Sequence, residues 1–130
     1  MTKLKGRTIY KGMTEGEALV TSHGISFYGG VDPDTGKIVE KGHELEGQSI
    51  TDKILVFPTG KGSTVGSYVI YQMAKTGTGP KALILKECEA IVAVGCIISD
   101  LPCIDQIDTD KIETGMNLSL DAENGIVEIQ

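Results

Sequence analysis

A chain of 130 residues has room for one hydrophobic core, and a 40% hydrophobic fraction at a mean hydropathy of +0.01, with no long uncharged apolar stretch, excludes a membrane span and a disordered chain. Eighteen acidic against twelve basic side chains leave a net charge of −6, which opposes attraction to phosphate backbones and argues against a nucleic-acid partner. The basic start MTKLKGRTIYKG is not followed by an apolar run or a small-residue cleavage site, so we expect a single domain over 1–130, cytoplasmic, with no membrane partner.

Seventeen glycines, no Trp and two Phe predict many tight turns around an Ile, Val and Leu core, hence a β-rich architecture. Strands are expected at 7–10, 16–20 and 25–28. DPDTG, residues 32–36, then reverses the chain, with Pro33 presetting φ and Gly36 supplying positive φ, before a strand at 37–40. Gly29 and Gly30 remove side chains at the end of the third strand, which suits either an ordinary turn or the close approach of a ligand or a partner backbone. Residues 41–53 are polar and lead into the next strand without a domain boundary. Residues 54–57, ILVF, form a continuous apolar run stopped by Pro58, the pattern of a strand buried on both faces. Beyond Ser63, the apolar residues Val65, Val69, Ile70, Met73 and Ala74 recur at helical spacing until Gly77 and Pro80, which predicts the main helix. Residues 82–85, 90–94 and 96–99 read as further strands, and Asn124-Gly125 as the turn of a final hairpin.

Cys88, Cys96 and Cys103 have seven and six residues between them, which fits neither the paired spacing of zinc sites nor the runs of iron–sulfur sites. We read them as three buried thiols and expect no metal on this chain. Lys3, Lys5, Arg7 and Lys11 are dispersed, as on a solvated surface.

The chemistry concentrates in LVFPTGKGSTVGSYVIYQM, residues 55–73, a buried strand, a GxGS turn and a helix. Such a turn surrounds a helix start with backbone N–H groups and a positive dipole, so Gly60, Lys61, Gly62 and Thr64 are candidates to hold an anionic substrate. The spacing is neither that of a Walker A loop nor that of a GxSxG elbow. Ser63 has two readings. As an N-cap its hydroxyl accepts a first-turn N–H. As a general base it must bear alkoxide character, which nearby N–H groups and a water-poor site favour, and it then needs an electrophilic metal from a partner. No His, Asp or Glu lies in the loop, so a hydrolase triad would have to recruit His23 or His43, which read as surface or strand-end residues.

ISFYGGVDPDTGKI (25–38), the 55–73 segment and AIVAVGCI (90–97) resemble the hallmark segments of the aconitase X small subunit, a swivelling-domain family, and the resemblance spans nearly the whole chain. It implies an α/β fold, a β-rich swivelling β/β/α domain with one main helix after the GxGS loop. It also implies a separate large subunit that holds an iron–sulfur cluster and most of the substrate site, so that this chain is active only in that complex. Ser63 stands where the catalytic base stands in aconitases. Members of the family remove water from mevalonate 5-phosphate, giving trans-anhydromevalonate 5-phosphate for isoprenoid biosynthesis, or from hydroxyproline, and a separate short chain resembles the archaeal mevalonate 5-phosphate form. Aconitases carry an arginine two residues after the base, where Val65 stands here, so the resemblance does not extend to a citrate site. The loop at 25–36 is expected beside the GxGS loop at the subunit junction. Two other readings stay open: a non-catalytic anion-binding module and a stand-alone serine hydrolase.

Overall fold

The computed structural model describes residues 2–130. In chain order the elements are β1 (Thr2–Lys5), β2 (Arg7–Tyr10), β3 (Met13–Val20), α1 (Phe27–Gly30), β4 (Val31–Asp32), β5 (Lys37–Ile38), β6 (Ile54–Phe57), α2 (Gly66–Thr76), β7 (Ala82–Leu85), α3 (Ala90–Ser99), β8 (Cys103–Asp105), a 3-10 turn (Thr109–Lys111), β9 (Asn117–Asp121) and β10 (Ile126–Ile129). Eight strands form one sheet in the order β1-β10-β9-β3-β6-β7-β8-β2, while β4 and β5 make a separate hairpin. The centre, β3-β6-β7-β8, is parallel and its flanks are antiparallel.

β1 and β2 stand at opposite ends of this order although Gly6 alone separates them, so the sheet curls until its two ends meet. At the seam Gly6 donates its N–H to Gly125 O (2.8 Å), and a Cβ on Gly6 would collide with the Asp105 carbonyl. Arg7 clasps the same corner. Its Nε and Nη2 donate to Oδ1 and Oδ2 of the fully buried Asp105 (2.9 and 2.7 Å), which also accepts the Cys88 N–H (2.9 Å). Arg7 is thus a structural ion-pair partner rather than a dispersed surface charge.

β6 and β7 are buried at every position, as the continuous apolar run predicts. Alternate residues serve opposite faces: Ile54 and Val56 pack inside the curled sheet with Ile84, Ile104 and Leu118, while Leu55 and Phe57 meet Phe27, Ile70 and Met73 on the helical side. Each such side chain contributes about 1.5–3 kcal/mol by leaving water.

α2 follows its expected spacing, with Val69, Ile70 and Met73 buried and Gly77 closing the helix in the left-handed region (φ 79°). The segments 90–94 and 96–99 are not strands but one helix, α3. Its residues, AIVAVGCIIS, are apolar nearly all round, which hides the helical period. The topology decides the matter, because β7 and β8 are parallel neighbours and need a crossover between them. Small residues let the two helices close on each other: a Cβ on Gly95 would lie 2.6 Å from Ile70 Cδ1, and Ser67 Oγ donates to Ile91 O (2.6 Å).

The strand expected at 25–28 is reduced to a single bridge, Ile25 with Gly60, before the irregular turn of α1. The 32–36 reversal forms as expected, Gly36 donating to Asp32 O (2.7 Å) at φ 75°. The final hairpin pairs Asp121 with Ile126, with Gly125 at φ 70°.

Candidate functional site

The parallel strands β3, β6 and β7 end on one rim, and the chain leaves them through residues 21–26, 58–65 and 86–89. In α/β folds the loops beyond the carboxyl ends of parallel strands are where ligands commonly bind. The first two exits run side by side: Ile25 donates to Thr59 O (3.2 Å) and accepts from Lys61 N (3.0 Å). Gly60 fits there because a Cβ would lie 2.5 Å from both Glu89 Oε1 and Val92 Cγ2. Gly62 has φ 92°, and a Cβ on it would collide with Ser26 Oγ.

Ser63 is exposed. It stands two residues ahead of Val65, the N-cap position of α2, which itself has no side-chain cap bond. Ser63 Oγ accepts the Val65 N–H (3.1 Å), and its carbonyl accepts the Gly66 N–H (2.9 Å). The serine therefore turns the chain into the helix without capping the helix's first turn. Its hydroxyl hydrogen has no acceptor among the described residues, and the N–H groups of Gly62, Ser63 and Thr64 have none either. Three successive amides and one hydroxyl of one turn thus lack acceptors among the described residues, and the Val65 N–H is placed to stabilise negative charge on Oγ.

Lys61 Nζ pairs with Glu40 Oε2 (3.0 Å), and Glu40 is anchored by its own N–H on Gly30 O (3.3 Å). A Cβ on Gly30 would lie 3.3 Å from Glu40 Oε1, so Gly30, Glu40 and Lys61 meet at one point. The 25–36 segment is therefore beside the GxGS loop. Gly29 (φ 88°) faces open space, on a groove it shares with Tyr28, Val39 and Val65. Thr64 faces the opposite side of α2, where it lines the groove between α2 and α3.

The rim also holds residues that spacing did not single out. Ser26 abuts Gly62 and donates to Tyr28 O (2.9 Å), and Glu40 reaches Lys61 across 21 positions of sequence, a separation that leaves no local signal. His43 is buried, contrary to the surface reading. Its Nδ1 accepts the Leu45 N–H (3.0 Å), which leaves the proton on Nε2 to be donated to Gly24 O (3.1 Å). His23 is exposed at the end of β3, and its Nδ1 accepts the Glu44 N–H (3.2 Å). The Thr21 hydroxyl and the Ser22 N–H hold the Glu44 carboxyl below its usual range. Both histidines fix the loop that lies against the GxGS turn, and neither hydrogen-bonds Ser63.

The residues do not compose a cluster site. The three cysteines are free, with Cys96 and Cys103 fully buried in the helical-side core and Cys88 packed against it. The Cys88 and Cys96 thiols, together with burial, push the Cys103 thiol well above its ordinary value, away from the thiolate that ligates iron. No group of three His, Cys, Asp or Glu among the described residues is arranged for a metal ion. No helix among them is long and apolar enough to cross a membrane.

The family model for the aconitase X swivel domain matches residues 3–129. The chain is 58% identical to the phosphomevalonate dehydratase small subunit of Pyrococcus furiosus over 127 residues, which cover 98% of this chain and 95% of that one. It is 50% identical to the protein of the same name from Methanococcoides burtonii over 130 residues, at 98% and 95% coverage. The crystal structure of Thermococcus kodakaraensis aconitase X (holo-form) superposes with a TM-score of 0.99 at 54% identity, over 100% of this chain and 99% of that chain. The chain belongs to the aconitase X swivel-domain family.

Proposed function

We propose that this chain is the small subunit of a hydro-lyase that dehydrates mevalonate 5-phosphate to trans-anhydromevalonate 5-phosphate, acting only with a larger subunit. The observation that carries the reading is the turn at 62–64, where the Ser63 hydroxyl hydrogen and three amides have no acceptor among the described residues. The names of the near full-length relatives supply the substrate class.

In this reading Ser63 takes the substrate proton, and the Val65 N–H favours the charged form of its oxygen. Lys61 and the Gly62, Ser63 and Thr64 amides hold an anionic group of the substrate, with Glu40 keeping the Lys61 ammonium in place. Gly29 keeps the approach free of a side chain, while Gly60 and Gly30 let Glu89, Val92 and Glu40 pack close behind the loop. An iron–sulfur cluster in the larger subunit would supply the Lewis acid for the leaving hydroxyl. The complex works in the cytoplasm and uses neither nucleic acid nor a membrane.

Coexpression with the larger subunit under anaerobic conditions, followed by assay of water loss from mevalonate 5-phosphate and from hydroxyproline, tests the assignment. Turnover of the first compound is expected. Turnover of hydroxyproline alone would remove the substrate while leaving the hydro-lyase. A hydrolase reading has no support at Ser63, whose oxygen meets no base among the described residues.

A further inference from the structure

The chain's one buried histidine has no part in the chemistry described above. His43 is 6% exposed, and its ring meets that of His23 edge to face with centroids 5.0 Å apart. It belongs to a turn at 40–46 that reaches the rim at three points: Glu40 at Lys61, His43 at Gly24 O, and Glu44 at the Thr21 hydroxyl and the Ser22 N–H. A buried imidazole is costly unless both ring nitrogens are bonded, and here both are. The bond from Leu45 N–H to Nδ1 (3.0 Å) stays within the turn, whereas the bond from Nε2–H to Gly24 O (3.1 Å) leaves it.

Gly24 opens the segment that braces the GxGS loop. Ile25 donates to Thr59 O and accepts from Lys61 N, Ser26 abuts Gly62, and a Cβ on Gly24 would lie 3.3 Å from Thr59 O. Residues 24–26 thus lie between His43 on one side and residues 59–62 on the other, and Ser63 follows directly. We infer that His43 is a positioning residue for Ser63: its neutral ring, protonated at Nε2, holds Gly24 O and thereby the seat of 24–26 against the loop. The inference rests on the reading of Ser63 as the base and adds what keeps that base in place. His43 touches neither Ser63 nor the substrate site, so it acts only through the backbone between them. Proton transfer is steep in geometry, and a displacement of about 1 Å costs ~10²-fold in rate.

The two ring nitrogens are separable by substitution. An asparagine amide overlays Nδ1, so His43→Asn keeps an acceptor for the Leu45 N–H and leaves Gly24 O without a donor. A glutamine amide overlays Nε2, so His43→Gln keeps the donor to Gly24 O. The test measures kcat and KM for mevalonate 5-phosphate in the complex with the larger subunit, with thermal unfolding and amide NMR of the free chain alongside. His43→Asn is expected to lower kcat by about 10–100-fold, to hold KM within about threefold, and to shift the amide signals of residues 60–63. His43→Gln is expected to stay within about threefold of the parent's kcat and to leave those signals in place. A role confined to holding the 40–46 turn gives the reverse order, because asparagine preserves the Leu45 bond. That order, an equal loss in both variants, or an asparagine variant as active as the parent overturns the inference. The imidazole nitrogen shifts of the parent chain decide the point without any variant, since a ring protonated at Nδ1 has no donor for Gly24 O and overturns it too. A parent complex that does not turn over mevalonate 5-phosphate, or a Ser63→Ala complex as active as the parent, overturns the reading of Ser63 and the inference together.

Discussion

α2 and α3 have nearly equal lengths, follow neighbouring parallel strands and pack on each other, yet they begin in opposite ways. The entry to α3 is closed. Lys86 and Glu87 donate to Pro58 O, Cys88 to Asp105, and the Glu89 carboxylate accepts the N–H groups of Ile91 and Val92 (2.9 and 3.0 Å). The entry to α2 is open, since the serine that spacing would make its cap lies two residues upstream and three amides beside it have no partner among the described residues. Two copies of one strand-turn-helix plan have been finished differently. One turn satisfies its own positive end with a carboxylate, and the other has no carboxylate cap.

The most severe test of the contrast is Ser63→Ala. In the assembled enzyme we expect turnover to fall by ~10²–10⁴-fold, while stability changes by less than about 1 kcal/mol because no first-turn amide of α2 loses a cap. Turnover near the parent's, with a large drop in the unfolding midpoint, would reverse the assignment. Glu89→Ala probes the closed entry. It removes both N–H acceptors of α3 and should cost about 1–2 kcal/mol in denaturant unfolding while leaving the Ser63 turn in place. The smallest effect is electrostatic. The folded fold holds the Glu44 carboxyl below its usual range through the Thr21 hydroxyl and the Ser22 N–H, so its contribution is present at neutral pH and is lost as pH falls through that lowered value. Below a pH of about 4 the parent's thermal midpoint should therefore fall faster than that of Glu44→Gln, whereas the two should run parallel at neutral pH.

The same contrast shows what sequence can carry. Residues 54–57 and 82–85 were readable because strands buried on both faces need nothing but apolar residues, and α2 because its buried positions alternate with exposed ones. α3 was misread as strands because its exposed face is also apolar, so the polar positions that reveal a helical period are missing. β1 and β8 lie outside the expected strands, being short segments whose identity depends on partners far along the chain, Val127 for Leu4 and Thr8 for Ile104. At the rim the GxGS loop was legible as a local motif. Glu40, Ser26 and the buried His43 were not, because each earns its place only after the 21–43 segment has folded back on the loop.

The seam at Gly6 has a consequence for how this molecule meets others. The open edges of the large sheet are β1 and β2, each four residues long, and they bear Lys3, Lys5 and Arg7. Short, basic edges offer a poor template for another strand, so stacking into fibrils and recognition by β-addition are both disfavoured.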